Sequence, residues 1–416
     1  MNRLKTAFLI LLSLLSLSLL FAPASADPAE DLTPGCVFRV ADNWASLASL
    51  ADGRYASRWE STLRENPWVT LASDRPVYGL YLCFHKMPES YVIQEQQGEN
   101  WVTVIREDCP RYPHVFYKLN GAHTLRILSA AEGKSVLAFN EIFVFGPGEI
   151  PGWVQRWSPP AEKADLLLLA AHPDDELLFF GGTVPVYAAE KRKKVQVVYL
   201  TCSNGFRRSE ALNGLWAMGL RNYPEFGPFS DRYPEGEQLS DAYLMAGGQP
   251  KVLEWLADLF RKYRPDVVVT HAESGEYGHP QHKMAADASV LCYDLAADAS
   301  FSPASAEQYG VWQVRKLYLH LYGPEEEQTV LNWDLPLSAF GGKTGAQLAA
   351  EAFSMHVTQK GAGIRRNGGY VEFTVGEFGA KLYPYNRFGL YASTVGVDVE
   401  KNDFTEHLPQ DPDSCR

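Results

Sequence analysis

Apolar positions along the chain fall into three textures. At the start, Arg3 and Lys5 precede an almost unbroken apolar run with serines, Ala7 to Phe21, and Ala24-Ser25-Ala26 offers a small-x-small cleavage site. This pattern predicts a secretory signal peptide over residues 1–26, because the run is short for a retained membrane span. From Cys36 to Gly146 short β-rich runs recur: Val77 to Phe84, Tyr91 to Glu95, Trp101 to Arg106, His114 to Leu119, Thr124 to Leu128 and Leu137 to Phe145. Turn-forming pieces such as Gln97-Gly98-Glu99-Asn100 and Asn120-Gly121 separate them, as in an antiparallel β-sandwich. A Pro- and Gly-rich linker, 151–163, holds Trp153 and Trp157 and ends this texture.

The third texture alternates strand and helix. Leu166 to Ala171 is apolar without polar alternation, as in a strand buried on both faces. A helix near Thr183 to Lys193 follows, then a strand Val195 to Thr201 and a helix Ser209 to Gly219. A long polar and aromatic stretch, Arg221 to Gln249, precedes a helix Lys251 to Tyr263 and a strand Asp266 to Thr270. The pattern implies βαβ units and an α/β fold with a Rossmann-like parallel sheet. No G-x-G-x-x-G follows the first strand, so a dinucleotide is not expected. Beyond it the pattern predicts a helix Met284 to Ala297, an alternating piece Lys316 to Tyr322 and a helix near Thr344 to His356.

Charge narrows the partners. The chain has 38 Lys+Arg against 50 Asp+Glu, and losing Arg3 and Lys5 with the leader takes the net charge from −12 to −14. So acidic a surface argues against nucleic acid. Six cysteines lie far apart without a C-x-x-C. In an exported chain they permit a disulfide joining two of Cys36, Cys83 and Cys109, without selecting the pair. No segment after the leader is expected to cross a membrane.

Chemistry collects where two strands end. After the first comes Ala171-His172-Pro173-Asp174-Asp175-Glu176, and after Asp266 to Thr270 comes Gly278-His279-Pro280-Gln281-His282. In open α/β sheets ligand sites lie at the carboxyl ends of strands. His172 and Asp175, three residues apart, can face one metal ion while the neighbouring carboxylate stays free as a base. The second motif offers the further ligand a catalytic metal needs.

These two motifs resemble the LmbE-like (PIG-L) family of zinc-dependent N-acetylglucosaminyl deacetylases, firmly over residues 164–282 and loosely to Arg416. Arg208 and Gly219 are similar to an Arg…Leu-Gly helix pattern of that family, with Met218 in place of Leu. The resemblance implies zinc held by His172, Asp175 and His282, with Asp174 as general base and His279 as a cationic group facing the carbonyl. It also implies Tyr277 near the oxyanion and Arg208 as a binder of sugar hydroxyl or phosphate. The family commonly has Asp where Gln281 stands, a carboxylate that would help keep His279 protonated. Leu50 to Trp59 with Asn140 to Gly146 is similar to discoidin-like, galactose-binding-like jelly rolls. The expected organisation is then a signal peptide (1–26), an accessory sandwich (27–150), a linker (151–163) and a deacetylase domain with a C-terminal elaboration (164–416). The expected activity is removal of N-acetyl groups from N-acetylglucosamine-type sugars outside the cytoplasm. The rival readings are a zinc amidase for another amide and a non-catalytic glycan binder.

Overall fold

The computed structural model describes residues 27–202 and 204–409; the leader and Cys415 lie outside them. The N-terminal part is one antiparallel sheet bent over itself. Its strands are β1 (Val37–Val40), β2 (Trp59–Glu60), β3 (Arg64–Glu65), β4 (Trp68–Lys86), β5 (Tyr91–Gln97), β6 (Asn100–Glu107), β7 (His114–Ser129), β8 (Lys134–Ser135) and β9 (Ala138–Phe145). The path runs β2-β9-β4-β7-β5-β6, with β1 added to β4 and a separate β3–β8 pair.

Strands β4 and β7 belong to both layers. Their first pairing joins Trp68–Ala72 to Thr124–Leu128, and their second joins Gly79–Cys83 to His114–Lys118, with register shifts between. So the two runs read as separate strands, His114 to Leu119 and Thr124 to Leu128, are one strand that turns a corner. Asn120-Gly121 is that corner, with Gly121 at φ 93°, rather than a hairpin turn. Leu71, Leu80, Leu82, Ile93, Ile127, Phe139 and Ile142 fill the space between the layers with no exposed surface. Trp59 packs there on Phe139, ring centroids 6.4 Å apart, so it is a core residue. Cys36, Cys83, Cys109, Cys202 and Cys292 are all free thiols.

The second sheet is mixed. Strands β10 (Leu166–Ala170), β11 (Val195–Thr201), β12 (Glu225–Phe229), β13 (Val267–Thr270) and β14 (Lys316–His320) run parallel in the order β12-β11-β10-β13-β14. The Rossmann-like expectation holds for these five and fails at the edge. There β15 (Thr329–Val330) lies beyond β18 (Arg387–Ser393), and β18 is antiparallel to β14. Between them in sequence, β16 (Gly363–Arg366) and β17 (Gly369–Glu372) form a separate hairpin. Strand β12 lies inside the long polar and aromatic stretch Arg221 to Gln249; its Glu-Phe-Gly-Pro-Phe sequence is tolerated because it is an edge strand.

The helices are α1 (Asp175–Leu178), α2 (Gly205–Ala217), α3 (Leu239–Met245), α4 (Gln249–Tyr263), α5 (Pro280–Leu295), α6 (Pro303–Tyr309) and α7 (Gly345–Phe353). Where a helix was expected after β10, Pro185–Glu190 forms a π-helical turn. Alternate residues of β10 serve opposite faces. Leu166, Leu168 and Ala170 pack with Leu212 and Leu215 of α2 and Leu348 of α7. Leu167 and Leu169 pack with Leu256 and Phe260 of α4 and Met284 of α5. Both faces are covered, which explains the unbroken apolar run. No helix among the described residues is long and apolar enough to cross a membrane.

Candidate functional site

Three adjacent strands end in histidine. His172 follows β10, His271 follows β13, and His320 closes β14. His282 comes from the first turn of α5, which His279 caps by accepting the Gln281 N–H on Nδ1 at 3.2 Å. Asp174, the N-cap of α1, has φ 123° and ψ −24°, a costly conformation for a residue with a Cβ. It is held by its own N–H donating to Glu176 Oε2 at 2.9 Å. Glu176 thus orients the loop.

Three of the expected ligands converge. His172 Nδ1 lies 3.1 Å from Asp175 Oδ2 and 3.2 Å from His282 Nε2, and His282 Nε2 lies 3.4 Å from Asp175 Oδ2. A tetrahedral ion with bonds of about 2.1 Å needs ligand atoms about 3.4 Å apart, so this triangle fits one zinc-sized ion. All three residues are buried. Burial alone would raise the Asp175 carboxyl, but the charges of His282 and His172 hold it well below the usual aspartate range. Burial pushes neighbouring Asp174 well up, against the pull of Arg207.

Behind the triangle sits Glu276. Its Oε2 faces His282 Nδ1 at 2.8 Å and His271 Nδ1 at 2.7 Å; its Oε1 faces His320 Nδ1 at 2.6 Å. Burial would raise this carboxyl, yet the charge and hydrogen bond of His271, with the hydrogen bonds of His282 and His320, keep it well below the glutamate range. A carboxylate on the far nitrogen fixes a ligand's tautomer and orientation. His271 Nε2 accepts the Ala171 N–H at 2.9 Å, which makes His271 a support of the site rather than a ligand.

Two expectations need correction. Gln281 does not address His279 through its side chain: its Oε1 accepts from His172 Nε2 at 2.8 Å, leaving Nδ1 free for a metal. His279 is not a cation either. Its Nδ1 accepts a backbone N–H, no carboxylate among the described residues pairs with it, and burial together with the His172 charge drives its pKa far down. Its donor is therefore a neutral Nε2–H.

Arg208 is the third correction. It lies over the Phe226 ring at 5.5 Å, outside the pocket. Its neighbour Arg207 reaches the site instead, pairing with Asp174 Oδ2 at 3.2 Å and Asp231 Oδ2 at 2.9 Å and donating to the Pro173 carbonyl. The helix begins at Gly205, capped by Asn204 through the Arg207 N–H, four residues before the expected start. On that helix Arg207, rather than Arg208, faces the site.

The cavity above the triangle measures about 300 Å³. His172, Asp174, Asp175 and His279 form its floor. Tyr277 lines it as expected, in a left-handed conformation (φ 47°) with its ring 5.5 Å from His279. Tyr233 crosses the His279 ring at 4.7 Å, and Ile364 of β16 and Phe373 close the far side. None of Asp231, Tyr233, Ile364 or Phe373 stood in a sequence motif, and only the fold brings them here.

Residues 167–293 match the family model PIG-L, GlcNAc-PI de-N-acetylase. A curated relative, 1D-myo-inositol 2-acetamido-2-deoxy-alpha-D-glucopyranoside deacetylase 1 of Catenulispora acidiphila, is 32% identical over 200 residues, 40% of this chain and 58% of the relative. The chain spans about three fifths of the length of the curated relatives it matches. Among solved structures, the chain is similar to N,N'-diacetylchitobiose deacetylase from Pyrococcus horikoshii, 17% identical with TM-score 0.35, over 48% of this chain and 72% of that one. It is also similar to CpGH89CBM32-6 of Clostridium perfringens, 18% identical with TM-score 0.26, over 28% of this chain and all of that one.

Proposed function

With residues 167–293 a PIG-L domain, we propose that this protein is a zinc-dependent hydrolase that removes the acetyl group from 2-acetamido-2-deoxyglucose units. The observation that carries the reading is the triangle of His172 Nδ1, Asp175 Oδ2 and His282 Nε2 with Asp174 beside it on the cavity floor. The curated relative's name gives its substrate as an inositol-linked 2-acetamido-2-deoxyglucopyranoside, and the aminosugar is the part carried over here. Zinc, when bound, supplies Lewis acidity to the acetamide carbonyl and the attacking water.

The protein's own groups do the rest. Asp174, raised by burial and steadied by Arg207, takes the proton of the attacking water as the C–O bond forms. The neutral Nε2–H of His279, with Tyr277 beside it, donates to the oxygen on which negative charge develops. When the C–N bond breaks, acetate leaves and Asp174 returns its proton to the amine. Gln281 and Glu276 hold His172 and His282 in the tautomers that face the ion. The apolar run Ala7 to Phe21 with Ala24-Ser25-Ala26 supports export, and so an extracytoplasmic glycan or oligosaccharide as substrate. The sandwich, 27–150, and the unit 164–416 are then two domains joined by the linker 151–163.

The test is metal content and acetate release on N-acetylglucosamine, chitooligosaccharides and peptidoglycan fragments. About one zinc per chain and acetate from at least one of them is the expected result. Zinc without acetate from any, but with hydrolysis of another amide, would replace the deacetylase reading with an amidase.

A further inference from the structure

The first turn of α2 touches three parts of the molecule with successive residues. Gly205 lies against the sandwich so closely that a Cβ there would stand 2.0 Å from the His85 carbonyl oxygen. Phe206 packs on the His85 ring at 4.4 Å and under the Arg58 guanidinium at 5.3 Å. Arg207 points the other way, onto Asp174 and Asp231. Ser209 returns to the sandwich, its Oγ 3.1 Å from His114 Nε2 and 3.2 Å from Asn140 Oδ1. Glu210 binds the N–H and hydroxyl of Thr358 in the C-terminal part.

The sandwich side of this contact is buried and paired. His114, at the start of β7, is 1% exposed, and Ser209 likewise. His114 Nδ1 lies 2.9 Å from Gln155 Oε1. Gln155 is itself oriented by donating from Nε2 to Asn213 Oδ1 at 2.6 Å, and its Oε1 also accepts from Trp157. His114 thus faces Gln155 through Nδ1 and Ser209 through Nε2, while the Ser209 hydroxyl donates to Asn140 Oδ1. Farther along α2, Trp216 Nε1 donates to the Gly152 carbonyl at 2.7 Å. A helix held by the sandwich at its first turn and by the linker farther along cannot shift against them without breaking buried hydrogen bonds.

We propose that the N-terminal sandwich is a positioning element of the reaction centre, acting through His114 and Ser209 on α2 to set where Arg207 meets Asp174. The inference rests on the reading of Asp174 as the base. His114 and Ser209 touch no reacting atom; they are positioning residues. Arg207 sits two residues before Ser209, and its two carboxylate contacts, at 3.2 and 2.9 Å, leave little room for the helix to drift. The sandwich so placed is part of the enzyme rather than a detachable module.

The experiment uses the full chain and three variants: His114→Leu, His114→Gln and Arg207→Lys, with the double variant His114→Leu/Arg207→Lys. Two measurements are made on each, acetate release from a soluble N-acetylated sugar and hydrogen–deuterium exchange of the amides of residues 172–176 and 205–210. His114→Leu should lower kcat about tenfold with little change in KM, the scale expected of a displaced catalytic group. It should speed exchange in both segments. His114→Gln, which keeps an amide facing Ser209, should restore most of both. In the double variant the His114→Leu effect on kcat should largely vanish, because Arg207 is its only route. Full additivity, or unchanged kcat and exchange in His114→Leu, would overturn the proposal. So would failure of His114→Gln to restore either quantity, which would mark a packing effect alone. If the wild-type chain releases no acetate, the deacetylase reading fails. The exchange of residues 172–176 then still decides whether the sandwich is coupled to the Asp174 loop.

Discussion

Gln281 belongs by sequence to the closing histidine motif, yet its amide serves His172, 109 residues earlier. Gln281→Leu should therefore weaken zinc binding about 10- to 100-fold, the usual cost of losing a partner behind a metal ligand, as read by competition with a chelator. His172→Ala and His282→Ala should abolish stoichiometric zinc. Asp174→Asn should keep the zinc and lose about 10² or more in turnover, the scale of a removed proton-transfer group. Normal turnover in Asp174→Asn would move the base elsewhere. The two His-Pro turns were legible in the sequence because each strand and the turn after it are local features, and the family resemblance named His172, Asp175 and His282 as the residues that meet there. The partners behind the ligands were not. Glu276 and His320 meet across 44 residues, and no local pattern encodes which histidine a carboxylate will serve.

At the scale of elements, α2 shows how a small misplacement changes function. A start at Ser209 leaves Arg207 outside the helix with no facing; a start at Gly205 gives it one. Asn204 is the N-cap that marks the true start, its side chain accepting the Arg207 N–H. Gly205 also yields a prediction that runs against propensity. Alanine at a helical glycine normally gains about 1 kcal/mol. Here the Cβ would meet the His85 carbonyl oxygen, backbone that cannot swing away. Gly205→Ala should lower the thermal midpoint in a calorimetric scan, by about one degree for each kcal/mol lost in a chain of this size. A raised midpoint would mean that the sandwich and α2 separate easily. The two long strands of the sandwich hid for a related reason. Asn120-Gly121 is a strong turn signal, and only pairing with β4 reveals that it bends a strand rather than ends one.

At the scale of the molecule, buried histidines tie stability to pH. Burial lowers His114 to about 3, and burial with the Arg207 charge lowers His356 to about 3, both from 6.5. Between those limits the unfolded chain binds a proton at each that the folded chain refuses, so folding stability falls as pH falls from about 6.5. Each histidine should cost about 2 kcal/mol by pH 5, at 1.36 kcal/mol per unit. Glu176, raised to about 7 by burial, works in the opposite sense. The clean measurement is a difference: the stability of His114→Gln relative to wild type in urea should grow as pH drops from 7 to 5. A constant difference would show that His114 takes up its proton in the folded state as readily as in the unfolded one. The C-terminal strand carries a further consequence, one of assembly rather than chemistry. Strand β18 is the partner that caps β14, and Phe388 within it is wholly buried. During synthesis the parallel strands are complete long before residue 387 emerges, so β14 waits with an open edge. Pairing over so long a separation closes slowly, and an open apolar edge invites pairing with other chains. A chain stopped short of β18 should accordingly accumulate as aggregate, and a chaperone that shields strand edges should find its substrate in that interval.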